Sequence, residues 1–110
     1  MEEEAEMSVS VPLIELSGLE DGQGRSVRLQ DRTVAVFRQA ERIYVVDDEC
    51  PHVGASLANG WVEEGQVVCS FHGWKFDLQT GACLTCPGRP VRTYPVRIEA
   101  GMVHIEVEGL

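Results

Sequence analysis

Cys50-Pro51-His52-Val53-Gly54-Ala55 and Cys69-Ser70-Phe71-His72-Gly73-Trp74-Lys75-Phe76-Asp77 are the two stretches on which the reading of this chain turns. Each opens with one thiol and one imidazole, as Cys-x-His in the first and Cys-x-x-His in the second. Sixteen residues separate His52 from Cys69. Thiolates and imidazoles together suit zinc or iron–sulfur chemistry. Structural zinc sites commonly pair Cys with Cys and His with His, which two mixed loops fit poorly. An iron–sulfur cluster in which two histidines replace two cysteines on one iron fits them well. Both loops carry glycine and other turn-forming residues, as a backbone folding around a compact centre needs.

Outward from the two boxes, the sequence breaks into short β-type runs. Ser8 to Glu15 alternates Val9, Val11 and Leu13 and predicts a first strand. A loop rich in glycine and acid follows, from Leu16 to Gly24. Ser26–Leu29, Thr33–Arg38 and Arg42–Val46 predict three more strands, with Ala40-Glu41 at the tip of the hairpin joining the last two. Cys50 to Gly60 reads as loop. Val67-Val68 leads into Cys69, Trp74–Leu78 forms a strand, and Gln79-Thr80-Gly81 turns it. Pro87-Gly88-Arg89-Pro90 cannot be a central strand. Val91–Ile98 and Met102–Val107 predict a closing hairpin turned at Ala100-Gly101. No helical stretch of useful length and no repeat is present. The expected class is all-β, with small antiparallel sheets as a sandwich or barrel.

The chain has 110 residues, which suits one domain over residues 8–110 behind an acidic, flexible tail at residues 1–7. Eighteen acids against nine basic residues give a formal net charge of −9, and the chain stays acidic without its tail. Nucleic acid and anionic membrane surfaces are poor partners for such a chain. No apolar run approaches the roughly 20 residues of a membrane helix. The acidic N-terminus lacks the basic and apolar regions of a signal peptide, so the expected location is the cytoplasm. Four cysteines in that reducing setting point to metal or redox chemistry rather than a disulfide framework.

On the two boxes, with Thr80-Gly81 and Tyr94-Pro95-Val96 beyond them, the sequence resembles the Rieske-type ferredoxins from about Val11 to Val107. The resemblance implies a cluster-binding subdomain, about residues 48–88, inserted into the sheets as two loops. It implies one [2Fe–2S] cluster, with Cys50 and Cys69 on the inner iron and His52 and His72 on the outer iron near the surface. Pro87–Pro90 stands where a third loop covers the cluster. The respiratory members carry a disulfide between the boxes, at positions matched here by Ala55 and Phe71. They also carry a serine bonded to a cluster sulfur, where this chain has Trp74. Fewer hydrogen bonds to sulfur leave the reduced cluster less stabilised, which implies a low potential.

The expected function is therefore that of a monomeric one-electron carrier without a catalytic site. It would take electrons from a flavoprotein reductase and pass them to a terminal oxygenase. The alternatives are the small subunit of an assimilatory nitrite reductase and, from another class, a zinc-stabilised interaction module. Cys83 and Cys86 form a Cys-x-x-Cys without a thioredoxin-like setting, and read as partly buried thiols beside the third loop, with a reversible disulfide as the other reading. His104 alternates with Val103 and Ile105 and is expected on the opposite strand face. Trp61, Trp74 and Phe76 are candidates to shield the cluster or fill the core. Asp47, Asp48, Glu49, Glu63 and Glu64 are expected to present an acidic docking surface at the cluster end.

Overall fold

The computed structural model describes residues 8–29, 32–51, 55–70 and 73–108. The strands are β1 (Ser8–Glu15), β2 (Gly24–Arg28), β3 (Thr33–Gln39), β4 (Arg42–Asp47), β5 (Trp61–Glu63), β6 (Gln66–Val68), β7 (Lys75–Asp77), β8 (Thr93–Tyr94), β9 (Val96–Glu99) and β10 (Met102–Glu108). They pair antiparallel in three sheets, ordered β1-β10-β9, β2-β3-β4-β8 and β5-β6-β7. Single 3-10 turns at Leu16–Gly18 and Leu57–Asn59 are the only helical pieces among the described residues. No helix there is long and apolar enough to cross a membrane.

The four-stranded sheet lies between two cores, and β3 shows why. Val34 and Val36 belong to a core shared with Val103, Ile105 and Val107 of β10. Ala35 and Phe37 point to the other face, into a core with Leu57, Val67, Phe76 and both Cys50 and Cys69. A strand covered on both sides has no solvent face, so its sequence is a continuous apolar run. On β4, Val45 and Val46 divide between the two cores in the same way.

The strand boundaries expected from sequence hold to within one or two residues, with two differences. Trp61–Glu63 forms a strand that was expected as neither strand nor turn. It pairs with β6 through the Glu64-Gly65 turn, where both residues have positive φ, the two-residue geometry that suits hairpin twist. The run Val91–Ile98 is not one strand. Thr93-Tyr94 pairs with β4, whereas Val96–Glu99 pairs with β10. Pro95 has no N–H to continue a ladder, so the chain changes sheets there. The turn at Ala100-Gly101 is as expected, again with two positive φ values. In β1 the register shifts between Pro12 and Ile14, at the proline of an edge strand.

Gly81 holds the turn after β7. It has φ +81°, its N–H donates to the Asp77 carbonyl (2.7 Å), and its own carbonyl accepts from the Val91 N–H (2.9 Å). The Asp77 carboxylate caps the same turn from the Gln79 and Thr80 N–H groups (2.8 and 3.0 Å). A Cβ at Gly81 would run into the Val91 carbonyl. Gly81→Ala is expected to cost roughly 2 kcal/mol, from left-handed strain and that collision, read as a lower denaturant midpoint at unchanged slope.

Candidate metal centre

Both boxes begin where a strand ends, and each closes in the same way. The Cys50 N–H donates to the Ala55 carbonyl (2.8 Å), five residues on. The Cys69 N–H donates to the Trp74 carbonyl (2.7 Å), again five residues on. The first loop leaves β4 and re-enters the sheet region through the Glu49–Ser56 bridge. The second leaves β6 and enters β7 directly. Two loops of equal span thus hang from two cysteines, each fully buried and reduced, in one core cluster. His52, His72 and Phe71 lie outside the described residues. Among the described residues no group of three or more metal-ligating side chains is assembled, so the described half of the candidate site is the thiol pair.

Asp48 anchors the first loop. Its carboxylate accepts from Ser56 Oγ (2.8 Å), Ser26 Oγ (3.2 Å) and the Ala58 N–H (3.0 Å). Its backbone N–H donates to the Thr33 carbonyl (3.0 Å), and its carbonyl accepts from the Leu57 N–H (2.7 Å). One residue thereby ties β2, β3 and the far side of the loop together, two positions before Cys50. It is only 7% exposed. This corrects the expectation that Asp48 belongs to a docking surface.

Asp47 is engaged too, accepting the Tyr94 hydroxyl (2.6 Å), which accepts in turn from Arg32 Nη1 (3.0 Å). The Arg92 guanidinium lies 5.4 Å from the Tyr94 ring centre. Of the five acids, Glu49, Glu63 and Glu64 are exposed, and Glu63 accepts from Trp61 Nε1 (2.8 Å). Exposed Arg28, Arg89 and Arg92 offset them. Asp47 and Glu49 share with Arg28 and Arg32 a cleft of about 720 Å³ that reaches Pro51 and Pro90. The surface at this end is of mixed sign, not uniformly acidic.

Burial pushes the Tyr94 hydroxyl above its usual value of 10.0, and its hydrogen bond to the Asp47 carboxylate adds to the rise. A group that holds its proton longer in the folded state stabilises fully below its unfolded value. That stability is lost as pH climbs through the higher folded value. Unfolding free energy is therefore expected to fall with pH above about 10. In Tyr94→Phe this component of the fall is expected to be absent, which denaturant titrations across that range would show.

The third loop lies against the first box, with Arg89 Nη1 reaching the Pro51 carbonyl at 3.5 Å. Phe76 is fully buried, and Trp74 packs at the edge of the same core with its ring 6.4 Å from that of Phe76. Trp61 is 48% exposed and so is not a core residue. His104 is half-buried on β10, opposite the core face of Val103 and Ile105, as alternation requires.

Residues 9–95 match the family described as the Rieske [2Fe-2S] domain. The chain belongs to the Rieske [2Fe-2S] domain family. Its cofactor is a Rieske-type [2Fe–2S] cluster, and the described donors fit one, since two buried reduced thiols at the roots of paired loops suit a soft, water-excluded centre. The Rieske domain is 40% identical over 77 residues to the anthranilate 1,2-dioxygenase ferredoxin subunit of Burkholderia cepacia, covering 69% of this chain and 71% of that one. It is similar to the solved ferredoxin in a complex of reduced oxygenase and oxidised ferredoxin of carbazole 1,9a-dioxygenase (TM-score 0.82, 28% identity, 93% of this chain and 96% of that one). It is also similar to a Mycobacterium tuberculosis structure assigned as an NADH-dependent nitrite reductase small subunit (TM-score 0.87, 26% identity, 96% of this chain and 100% of that one). Against the 4beta-methylsterol monooxygenase of Methylococcus capsulatus, the match is 36% identical over 104 residues but spans only 28% of that protein.

Proposed function

We propose that this Rieske domain is a one-electron carrier in which Cys50 and Cys69 hold one iron and His52 and His72 the other. It takes electrons from a flavoprotein reductase and delivers them to a terminal oxygenase, with no catalytic site of its own. The reading rests chiefly on the two equivalent loops closed from buried cysteines. When bound, the cluster supplies one reversible electron. The chain's own part is to bury the thiols, fix the loop roots through Asp48 and the paired N–H bonds, and leave the two imidazoles to face a partner. The carrier comprises residues 8–110 as one domain, with its cluster-binding part at about 48–88 and residues 1–7 as an acidic tail. It works as a cytoplasmic monomer. The likeness to dioxygenase ferredoxins over most of both chains supports the oxygenase as acceptor.

A second reading, the small subunit of a nitrite reductase, is supported by the likeness over the whole of such a chain. Stopped-flow mixing of the reduced protein with each kind of acceptor separates the two. Fast oxidation by an oxygenase component supports the first, and stoichiometric co-purification with a nitrite-reducing subunit supports the second. Failure of the purified protein to take up and release one electron per chain would end both.

The potential follows from the same residues. Ala55 and Phe71 provide no disulfide between the boxes, and Trp74 provides no hydroxyl to a sulfur. The midpoint is expected below zero, toward the lower end of a range from about −150 to +300 mV. Trp74→Ser is expected to raise it, and voltammetry showing a parent value well above zero would contradict the argument.

A further inference from the structure

Cys83 and Cys86 take no part in the proposed cluster site, yet Cys83 lies in the same core cluster as Cys50 and Cys69, Cys86 packs against it, and neither is in a disulfide. Cys83 is anchored. It bridges to Phe76 beside β7, its side chain is 4% exposed, and its neighbour Leu84 donates its N–H to the Lys75 carbonyl (2.8 Å). From there the chain folds back at once, so that the Cys86 N–H donates to Cys83 Sγ at 3.1 Å. The sulfur of one cysteine therefore sits against the backbone of the other, whose own side chain is only half-buried. A Thr85 hydroxyl bonded to the Lys75 N–H (3.0 Å) pins the turn between them. The Cys86 carbonyl accepts from the Arg89 N–H (3.3 Å), which links the pair to the third loop and its contact with Pro51.

We propose that Cys83 and Cys86 form a reversible dithiol–disulfide site, separate from the cluster ligands, that reacts with small-molecule disulfides. Cys86 is the attacking thiol because solvent reaches it. As thiolate it displaces one small thiolate from the disulfide and forms a mixed disulfide. Cys83, held beside it, then attacks the Cys86 sulfur and releases the second small thiolate. The two cysteines lose two electrons and two protons in all, and the small disulfide gains them as two thiols. Closing so short a loop removes little entropy from the unfolded chain, so the bond is a reducible one and not a structural staple. Once closed, it fixes Cys86 to the anchored Cys83, and with it the start of the segment that carries Arg89.

The test is to equilibrate the cluster-loaded protein with mixtures of reduced and oxidised glutathione, alkylate free thiols, and weigh tryptic peptides. Phe76–Arg92 contains these two cysteines and no other. The expected result is loss of two hydrogens from that peptide as the mixture becomes oxidising, reversed by dithiothreitol, while the visible absorbance of the cluster persists. Cys86→Ser should abolish the change, and Cys83→Ser should leave glutathione trapped on Cys86. Alkylation of both thiols at every ratio, or glutathione persisting on Cys86 in the parent protein, would overturn the proposal. Visible absorbance reports on the cluster independently, so loss of the cluster reading would be seen apart from loss of this one.

Discussion

Cys50→Ala or Cys69→Ala is expected to yield a protein with neither iron nor acid-labile sulfide, against the two irons and two sulfides of one [2Fe–2S] cluster in the parent. Both thiols are fully buried at the roots of loops closed by the same N–H bond to the fifth residue on. In the proposed ligand set, removing one takes away half of the thiolate charge on the iron that the two share. Iron and sulfide assays on freshly purified protein, with the visible spectrum, read the loss directly. His52→Ala and His72→Ala are expected to lose or severely weaken the cluster as well, while His104→Ala, on β10, is expected to keep it. The double change of Cys83 and Cys86 to Ser should also keep it. Because part of the folding free energy comes from the bound centre, the Cys50 and Cys69 variants should melt at lower temperature than the His104 variant. Stoichiometric zinc without sulfide in the parent protein would refute the ligand assignment.

Much of this arrangement was legible because it is local. Alternation in β1 and β10, the Ala40-Glu41 and Ala100-Gly101 turns, and the Cys-x-His and Cys-x-x-His pairs all declare themselves within a few residues. What escaped was set by tertiary neighbours. Trp-Val-Glu between Gly60 and the Glu64-Gly65 turn is too short to show a period, and becomes a strand only because β6 lies beside it. Val91–Ile98 is apolar enough for one strand, but Pro95 lets its two halves satisfy different sheets. Asp48 was grouped with its acidic neighbours Asp47 and Glu49. A run of charge in sequence reads as a solvated face, and only the positions of Ser26, Ser56 and Ala58 show that its carboxylate turns inward. The candidate ligands themselves were readable as residue types. That Cys50 and Cys69 share one core followed from packing, which no spacing in the sequence displays.

Asp48→Ala is expected to be the most damaging substitution outside the ligands. It strips the acceptor from the Ser26 and Ser56 hydroxyls and the Ala58 N–H, and it does so at a site almost closed to water. Leaving buried donors unpaired costs about 1–3 kcal/mol for a group, more where the lost partner carries charge, so roughly 3 kcal/mol in total is expected. For a domain of this length that corresponds to a drop in melting temperature on the order of 10 °C. Asp48→Asn keeps one acceptor oxygen but turns an amide N–H₂ toward groups that themselves donate, and should fall between parent and alanine variant. Ser26→Ala removes only two longer bonds, to Asp48 and to the Ser56 hydroxyl, and should cost about 1 kcal/mol or less. The position of Asp48 adds an effect that a general loss of stability would not produce. Its carboxylate joins Ser26 of β2 to Ser56 and Ala58 across the root of the first box, so its removal loosens the far side of the loop that Cys50 opens, while the backbone bonds to Thr33 and Leu57 remain. Iron release to a chelator, followed by the fading of visible absorbance well below the melting temperature, should therefore accelerate in Asp48→Ala. In Gly81→Ala, which weakens the fold at the turn after β7, it should change far less. Equal release rates in these two variants, at equal stability, would show that Asp48 supports the fold without holding the first box.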